Sequence, residues 1–401
     1  MPWYVVTRLG VGIETDAFFA SGALPQLIFL VASFSLTQVL VPLLATEDEA
    51  TFRRDSWAFF IGVSGFFSLL AIVLFVTAGI WVDLLVPGFD AQGRQLTITL
   101  SRIQLLSMIG NASVVVLWSV HYARQKFLWA ESSSLLANAV GLLVLFWTLP
   151  RFGIIAAAWA TVLTLVLKVG FLMPMLGAWQ TPQWNSSAVI EAWRRVKPFL
   201  LGQTYAKSDP LVDRFLTSLT TAGNLSLLYI GQQVYSAINL VITRAISTPS
   251  VPRLAIAAKS GDWHGFRHVY RQRLLIMLVV TVAACAALFF AGEPFLRLLI
   301  GHGGITAENV HMLWWIMVAL SGLLIGGCAG QVTSGAFYAM GDTRSPTMLF
   351  IVTFTVYVPI KILVFLRYGM IGLAAATSLH LVINFLMQLA LLEMTRLPRE
   401  G

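Results

Sequence analysis

Apolar runs of about twenty residues, divided by short polar or charged turns, recur along the whole chain. At 1.5 Å rise per residue, a helical run of that length crosses the ~30 Å hydrocarbon layer of a bilayer. The pattern predicts spans over 18–44, 57–82, 97–121, 129–149 and 153–178, followed by a polar linker at 181–195. Further spans are predicted over 197–216, 225–250, 274–300, 310–338, 347–366 and 370–393. Residues 1–9 are apolar but too short to cross, and read as the tail of a first span. The expected architecture is all-α and polytopic, with about 12 transmembrane helices.

One stretch departs from the pattern. Residues 197–216 form a membrane-length run, yet hold Lys207, Asp209, Asp213 and Arg214. A charge at mid-membrane costs at least ~2.5–3.5 kcal/mol, so four of them need a reason. On one continuous helix Lys207 lies about 15 Å from Lys197, near the midplane. Lys207 and Arg214, seven apart, then share one face, and Asp209 and Asp213, four apart, share another. Pro210 removes a backbone hydrogen bond and predicts a kink.

Composition agrees with the membrane reading: 58% of residues are hydrophobic and 11% charged, where soluble proteins carry about 25% charged. The net charge of +8 does not point to nucleic acid, because its distribution explains it. With loop 45–56 placed in the cytoplasm, the inner loops and C-terminus collect Arg53, Arg54, Arg124, Lys126, Arg194, Arg195, Lys197, Arg253, Lys259, Arg267, Arg271, Arg273, Arg344, Arg396 and Arg399. The outer loops hold only Arg94, Arg151, Arg297 and Arg367. This is the bias that keeps basic loops inside, and it predicts a cytoplasmic C-terminus. Cys285 and Cys328 both lie in apolar runs and build neither a disulfide framework nor a metal site. No phosphate-binding Gly loop, metal cluster or nucleophile elbow is present in the sequence, so neither an enzyme nor a cofactor is expected. His302 and His311 read as solvated, and Trp57, Trp81, Trp129 and Trp179 as an interfacial belt.

The chain repeats itself. Residues 151–161 (RFGIIAAAWAT) align without a gap with residues 367–377 (RYGMIGLAAAT), an offset of 216. Tyr122-Ala123 and Tyr338-Ala339 keep that offset, and Pro42 before Phe52-Arg53 matches Pro252 before Phe266-Arg267. Six spans per copy return the chain to the same side, so two parallel lobes are expected, 1–180 and 196–395, around a central cavity.

The ordered motifs resemble a family. Gly10-Val11-Gly12-Ile13-Glu14-Thr15-Asp16-Ala17-Phe18-Phe19, Leu24-Pro25, Gln38-Val39-Leu40-Val41-Pro42, Asp213-Arg214-Phe215-Leu216 and Phe337-Tyr338-Ala339-Met340-Gly341-Asp342 are similar to the MurJ/MviN family of lipid II flippases. The resemblance implies the multidrug/oligosaccharidyl-lipid/polysaccharide exporter fold and a substrate made of a polyprenyl diphosphate carrying sugar and peptide. It also implies a multi-pass protein of the bacterial inner membrane. The family has fourteen helices, whereas this chain stops after the twelfth and starts within the first. The family's paired bases of the second helix fall here on Ile28, Phe29 and Leu30, and its cavity arginine of the eighth helix falls at or near Gln232. Its cavity aspartate is kept as Asp16.

A diphosphate in a low-dielectric cavity needs cations, and Lys207, Arg214 and Arg244 are the candidates to supply them. Asp16, Asp213 and Gln232 complete the expected substrate site. The structural alternatives are that Arg214 and Lys361 snorkel from helix ends, and that Asp209 or Asp213 neutralises Arg244 or Lys168. The expected activity is movement of lipid II across the membrane, by a monomer. The alternatives are another polyprenyl-linked oligosaccharide, such as an exopolysaccharide or O-antigen unit, and a non-transporting homologue acting as a membrane partner.

Overall fold

The computed structural model describes residues 1–45, 47–247, 250–301 and 304–396, and the side chains of these except 32–35, 38, 197–203, 206, 395 and 396. His302 and Arg399 lie outside the described residues. The described chain is helical throughout: α1 Pro2–Leu9, α2 Ile13–Ser21, α3 Ala23–Ala45, α4 Glu49–Val76, α5 Ala78–Leu85, α6 Ala91–Ala123, α7 Phe127–Leu172, α8 Ser187–Ala206, α9 Asp209–Ser218, α10 Asn224–Ile242, α11 Ser250–Ser260, α12 Trp263–Ile300, α13 Ala307–Ala319, α14 Ser321–Ala339 and α15 Arg344–Leu391.

Two of these are helical hairpins. A straight helix would hold Trp129 and Phe171, 42 residues apart, at about 63 Å. The Trp129 indole N–H instead donates to the Phe171 carbonyl at 3.0 Å. On α15 the hydroxyls of Tyr357 and Thr377 lie 2.9 Å apart. The reversals fall at Gly153 (φ 57°, ψ −148°) and Gly369 (φ 60°, ψ −141°), a region of backbone space open essentially to glycine alone.

Among the described residues, seven stretches are long and apolar enough to cross a membrane, and the two hairpins cross twice. α3, and α8 with α9, stand where two further spans were expected, and α1 stands where the short first span was expected. The bilayer-facing surfaces are plain: Phe66, Leu69, Ile72 and Val76 on α4, and Leu275, Val279, Val282 and Phe290 on α12, are all exposed.

Contacts divide the chain into two compact units, Met1–Gly223 and Asn224–Gly401. In the first, α6 packs against α2, α3, α4 and α7, and α8 packs against α3 and α4. Leu40, Phe52, Phe67, Met108, Val116 and Val196 are among the residues of its core. In the second, α14 packs against α10, α11, α12 and α15. The boundary after Gly223 differs from the expected division at 180–196, because α8 and α9 make their contacts with α3, α4 and α5. Compactness and sequence repetition are separate criteria, and each unit carries the repeat's local signals.

Those signals are hydrogen bonds at matching places. Asp48 caps α4 through the Ala50 and Thr51 N–H groups, and Asp262 caps α12 through Gly265, an offset of 214. Asp90 caps α6 through Gly93 and Thr306 caps α13 through Asn309, an offset of 216. After α6, Lys126 N–H donates to His121 O at 2.9 Å and Gln125 N–H to Tyr122 O at 3.0 Å. After α14, Asp342 N–H donates to Phe337 O and Gly341 N–H to Tyr338 O, both at 3.0 Å. Both are Schellman turns, displaced by 216 residues.

The expected span 18–44 is divided. Pro25 has no N–H to donate, and the helix breaks at Gly22, between α2 and α3. The Phe18 carbonyl at this break accepts from the Ser21 hydroxyl at 2.7 Å and from Gln104 Nε2 at 3.5 Å.

Two outcomes follow for stability, read by thermal unfolding of the purified protein. Gly153→Ala and Gly369→Ala should each cost about 1–3 kcal/mol. A Cβ at either site meets nothing within 4 Å, so the loss would be backbone strain alone. Gln125 holds φ at 58°, whereas its counterpart Gly341 holds 79°; Gln125→Gly should therefore raise stability, by about 1 kcal/mol.

Candidate functional site

The charged stretch is not one kinked helix. Helix α8 ends at Ala206, and α9 begins at Asp209 with Pro210 in its first turn. Proline fits a first turn, where its missing N–H would have no helical partner anyway. Lys207 and Ser208 therefore lie between two helices, and the Ser208 N–H and hydroxyl both donate to the Tyr205 carbonyl, at 3.3 and 2.8 Å. The shared face expected of Lys207 and Arg214 requires an unbroken helix and does not form. Lys207 is exposed at the break, whereas Arg214 and Asp213 are 3% and 1% exposed on α9.

The C-terminal end of α9 is clasped within the first unit. Asp16, itself 2% exposed, accepts the Gly223 N–H through Oδ2 at 2.6 Å. Gly223 has φ 100°, and a Cβ there would sit 2.5 Å from Val11. On another side, Gly88 in the turn before α6 donates its N–H to the Ser218 hydroxyl at 3.4 Å. A Cβ on Gly88 would overlap the Ser218 carbonyl. Asp16 thus ties α2 to the turn after α9, with a charge-assisted bond in a buried setting.

Arg244 and Gln232 belong to the second unit. Arg244 is exposed in a π-helical turn, Thr243–Ser247, that follows α10, and Gln232 is half-buried on α10. Of the six expected site residues, the first unit therefore holds Asp16, Lys207, Asp213 and Arg214.

Sequence reasoning undervalued one side chain. Lys361, expected to snorkel, is 0% exposed. It lies between Arg344 and Gly369 on the first arm of α15, 5.1 Å from the centroid of the Tyr357 ring. His380 stacks on that same ring at 4.4 Å. Asn384 and Gln388 continue from His380 at four-residue spacing, and all three are buried. Gln388 Oε1 accepts from Thr333 and Ser334 on α14, at 3.1 and 2.8 Å. The spacing 380–384–388 was a readable sign of a polar helix face turned away from lipid.

His311, expected to be solvated, is half-exposed and bonded: its Nδ1 lies 3.1 Å from Glu293, and Trp315 donates to its Nε2 at 3.0 Å. In the linker, Glu191 is held below its ordinary range by hydrogen bonds from Arg195 first and Arg194 second. The neighbouring residues Ala192, Trp193 and Val196 line an apolar cavity with Leu40, Phe59 and Gly62. Among the described residues, no group of three or more His, Cys, Asp or Glu is placed to hold a metal.

Comparison with known proteins agrees with this frame. A family described as lipid II flippase MurJ matches residues 5–396. The probable lipid II flippase MurJ of Buchnera aphidicola is 22% identical over 403 residues, covering 96% of this chain and 78% of that one. The lipid II flippase MurJ of Thermosipho africanus is 22% identical over 385 residues, covering 94% and 78%. A solved lipid II flippase MurJ in an inward closed conformation superposes with TM-score 0.83 at 18% identity, covering 98% of this chain and 84% of that one. An inward-facing multidrug MATE transporter gives 0.79 at 15% identity, covering 98% and 94%. Two tandem sets of membrane-crossing helices and a match spanning nearly all residues lead to one conclusion: this chain is a member of the MurJ family.

Proposed function

We propose that this protein moves lipid II, a polyprenyl-diphosphate-linked saccharide, across the bacterial inner membrane, with its C-terminus in the cytoplasm. The observation that carries this reading is the family match over residues 5–396. The proposed lobes are those of the repeat, 1–180 and 196–395, joined by the linker 181–195. The protein acts as a transporter and performs no covalent chemistry.

Exposure sorts the roles of the charged residues. Lys207 and Arg244 are exposed, at a helix break and a π-helical turn, where a cation can meet a diphosphate without unfolding anything. Gln232 adds a neutral donor. Arg214 and Asp213 are buried on α9, and with Asp16 they position the helix that follows Lys207. An ammonium beside a phosphate in a site of low dielectric forms a charge-assisted hydrogen bond, about twice as strong as a neutral one.

Lipid II translocation in proteoliposomes tests this reading, with membrane-embedded protein measured in parallel. Lys207→Ala should abolish transport at unchanged protein level, and Lys207→Arg should retain part of it. Normal transport by Lys207→Ala would remove the residue from the site. Asp16→Ala should behave differently, losing thermal stability by about 1.5–3 kcal/mol because a bond to a charged acceptor is lost. Asp16→Asn keeps an acceptor oxygen and should lose less. Absence of lipid II movement by the unaltered protein would overturn the assignment itself.

A further inference from the structure

Helices α3 and α4 each pack against α6 more than against each other. The short turn that joins them is rich in carboxylates: Glu47, Asp48, Glu49 and, in the second turn of α4, Asp55. Two of the four are occupied. Asp48 caps α4, accepting from the Ala50 and Thr51 N–H groups at 3.2 and 3.3 Å. Glu49 holds Arg53 at 2.9 Å and Arg124 at 3.2 Å. Glu47 and Asp55 are left to each other. Asp55 is 1% exposed, and Glu47 Oε2 is buried and receives no hydrogen bond from an N–H or hydroxyl. The Asp55 carboxyl lies within hydrogen-bonding reach of the Glu47 side chain. One guanidinium stands beside the pair, with Arg54 Nε 3.4 Å from Asp55 Oδ1.

Charge decides the state of this pair. An ionised carboxylate only accepts hydrogen bonds, so two carboxyls can be bonded to each other only through a proton. With one proton they carry a single negative charge, and Arg54 balances it. Without it, two negative charges face one positive charge in a buried setting, which disfavours ionisation of both. The other charges nearby are answered elsewhere: Arg53 and Arg124 by Glu49, and on α8 Arg194 and Arg195 by Glu191. His121 on α6 turns its Nδ1 to the Leu117 carbonyl. Burial first, and the Asp55 charge second, push the Glu47 carboxyl up to about 7, against a smaller opposing pull from Arg54. In the register of the caps Asp48 and Asp262, an offset of 214, Glu47, Glu49 and Asp55 fall on Gly261, Trp263 and Val269, so the second copy lacks the pair.

We propose that Glu47 and Asp55 form a proton-operated latch between the α3–α4 turn and the body of α4, closed by one shared proton and opened by its loss. An unfolded chain releases that proton in the ordinary carboxylate range, whereas the folded protein keeps it up to about 7. The latch therefore stabilises fully below the ordinary range, and its contribution is lost as pH rises through about 7. A proton suits the site better than a metal ion, since among the described residues no group of three or more His, Cys, Asp or Glu is placed to hold one.

The test follows the carboxyl itself, by infrared difference spectroscopy of the purified full-length chain across neutral pH. The unaltered protein should lose one protonated-carboxyl C=O band with a midpoint at about 7. Glu47→Gln, which keeps a neutral side chain of the same shape, should lack that change. Asp55→Asn should move the midpoint down, because an amide donates to the Glu47 carboxylate where a second carboxylate repels it. Opening is read by hydrogen exchange of the amides at 47–53, compared between the unaltered protein and Glu47→Gln at the same pH, so that the chemical pH dependence of exchange cancels. Below the midpoint the two should exchange alike. Above it the unaltered protein should exchange about tenfold faster, the effect of one hydrogen bond to a charged group. Absence of a carboxyl titrating near 7, the same band change in Glu47→Gln, or equal exchange above the midpoint would overturn the proposal. A midpoint that falls on addition of millimolar Mg²⁺ would show a metal site in place of a proton site and would overturn it as well. None of these readings depends on the transported substrate.

Discussion

A chain that crosses a bilayer many times must satisfy its backbone polar groups from within, because hydrocarbon offers no partner. Several helix interruptions among the described residues answer to that requirement. Where the helix breaks at Gly22 between α2 and α3, the Gly22 N–H turns to Ala20 O, and Ser21 and Gln104 donate to the Phe18 carbonyl. Where α6 and α14 end, Schellman bonds close the last turns. Where α7 and α15 reverse, one glycine makes the turn. The repeat survives in these places while most side chains have drifted. Caps and turns tolerate few residue types, whereas a lipid-facing position accepts any apolar one.

That same requirement isolates the segment around Lys207. Its break is closed by bonds from Ser208 to the Tyr205 carbonyl, and it presents a cation without committing a long helix to carry it. Beyond the break, α9 is held at its far end by Asp16 on Gly223 and by Gly88 against Ser218. A short helix secured at one end and bounded by a charged break at the other gives an exposed cation a defined base. Both glycines are required by close approach, since a Cβ at either would overlap its neighbour.

Much of this was legible in the sequence, for identifiable reasons. Hydrophobic run length depends only on bilayer thickness, so the spans were readable, and so was the 216-residue repeat, to which Gly153 and Gly369 now give a backbone cause. Helical-wheel reasoning failed at 197–216 because it assumed one helix. Pro210 in an apolar run looks like a kink, yet it begins a new helix once Lys207 and Ser208 leave the old one. Burial was the other weak point. Lys361 resembles a snorkelling lysine in isolation, and only the hairpin fold at Gly369 brings Tyr357 and His380 into one cluster beside it. The run from His380 to Gln388 at four-residue spacing was visible, but its partners Thr333 and Ser334 lie more than fifty residues away.

Duplication lets the two halves solve one electrostatic problem separately. Bases at the start of α4 and α12 lie beside the apolar runs that follow them, and each set needs counter-charge. The first copy supplies carboxylates from its own chain, which fixes that end of α4 in an internal network with Arg124 seated 3.9 Å from the Phe52 ring. In the second copy the corresponding positions are Gly261, Trp263 and Val269, and Glu393, from the turn after α15, holds Arg271 instead. Internal pairing favours rigidity, because both partners are covalently held at high effective concentration. The asymmetry lies beside the matching caps Asp48 and Asp262, so side chains one or a few positions from a cap have diverged while the caps and turns are shared.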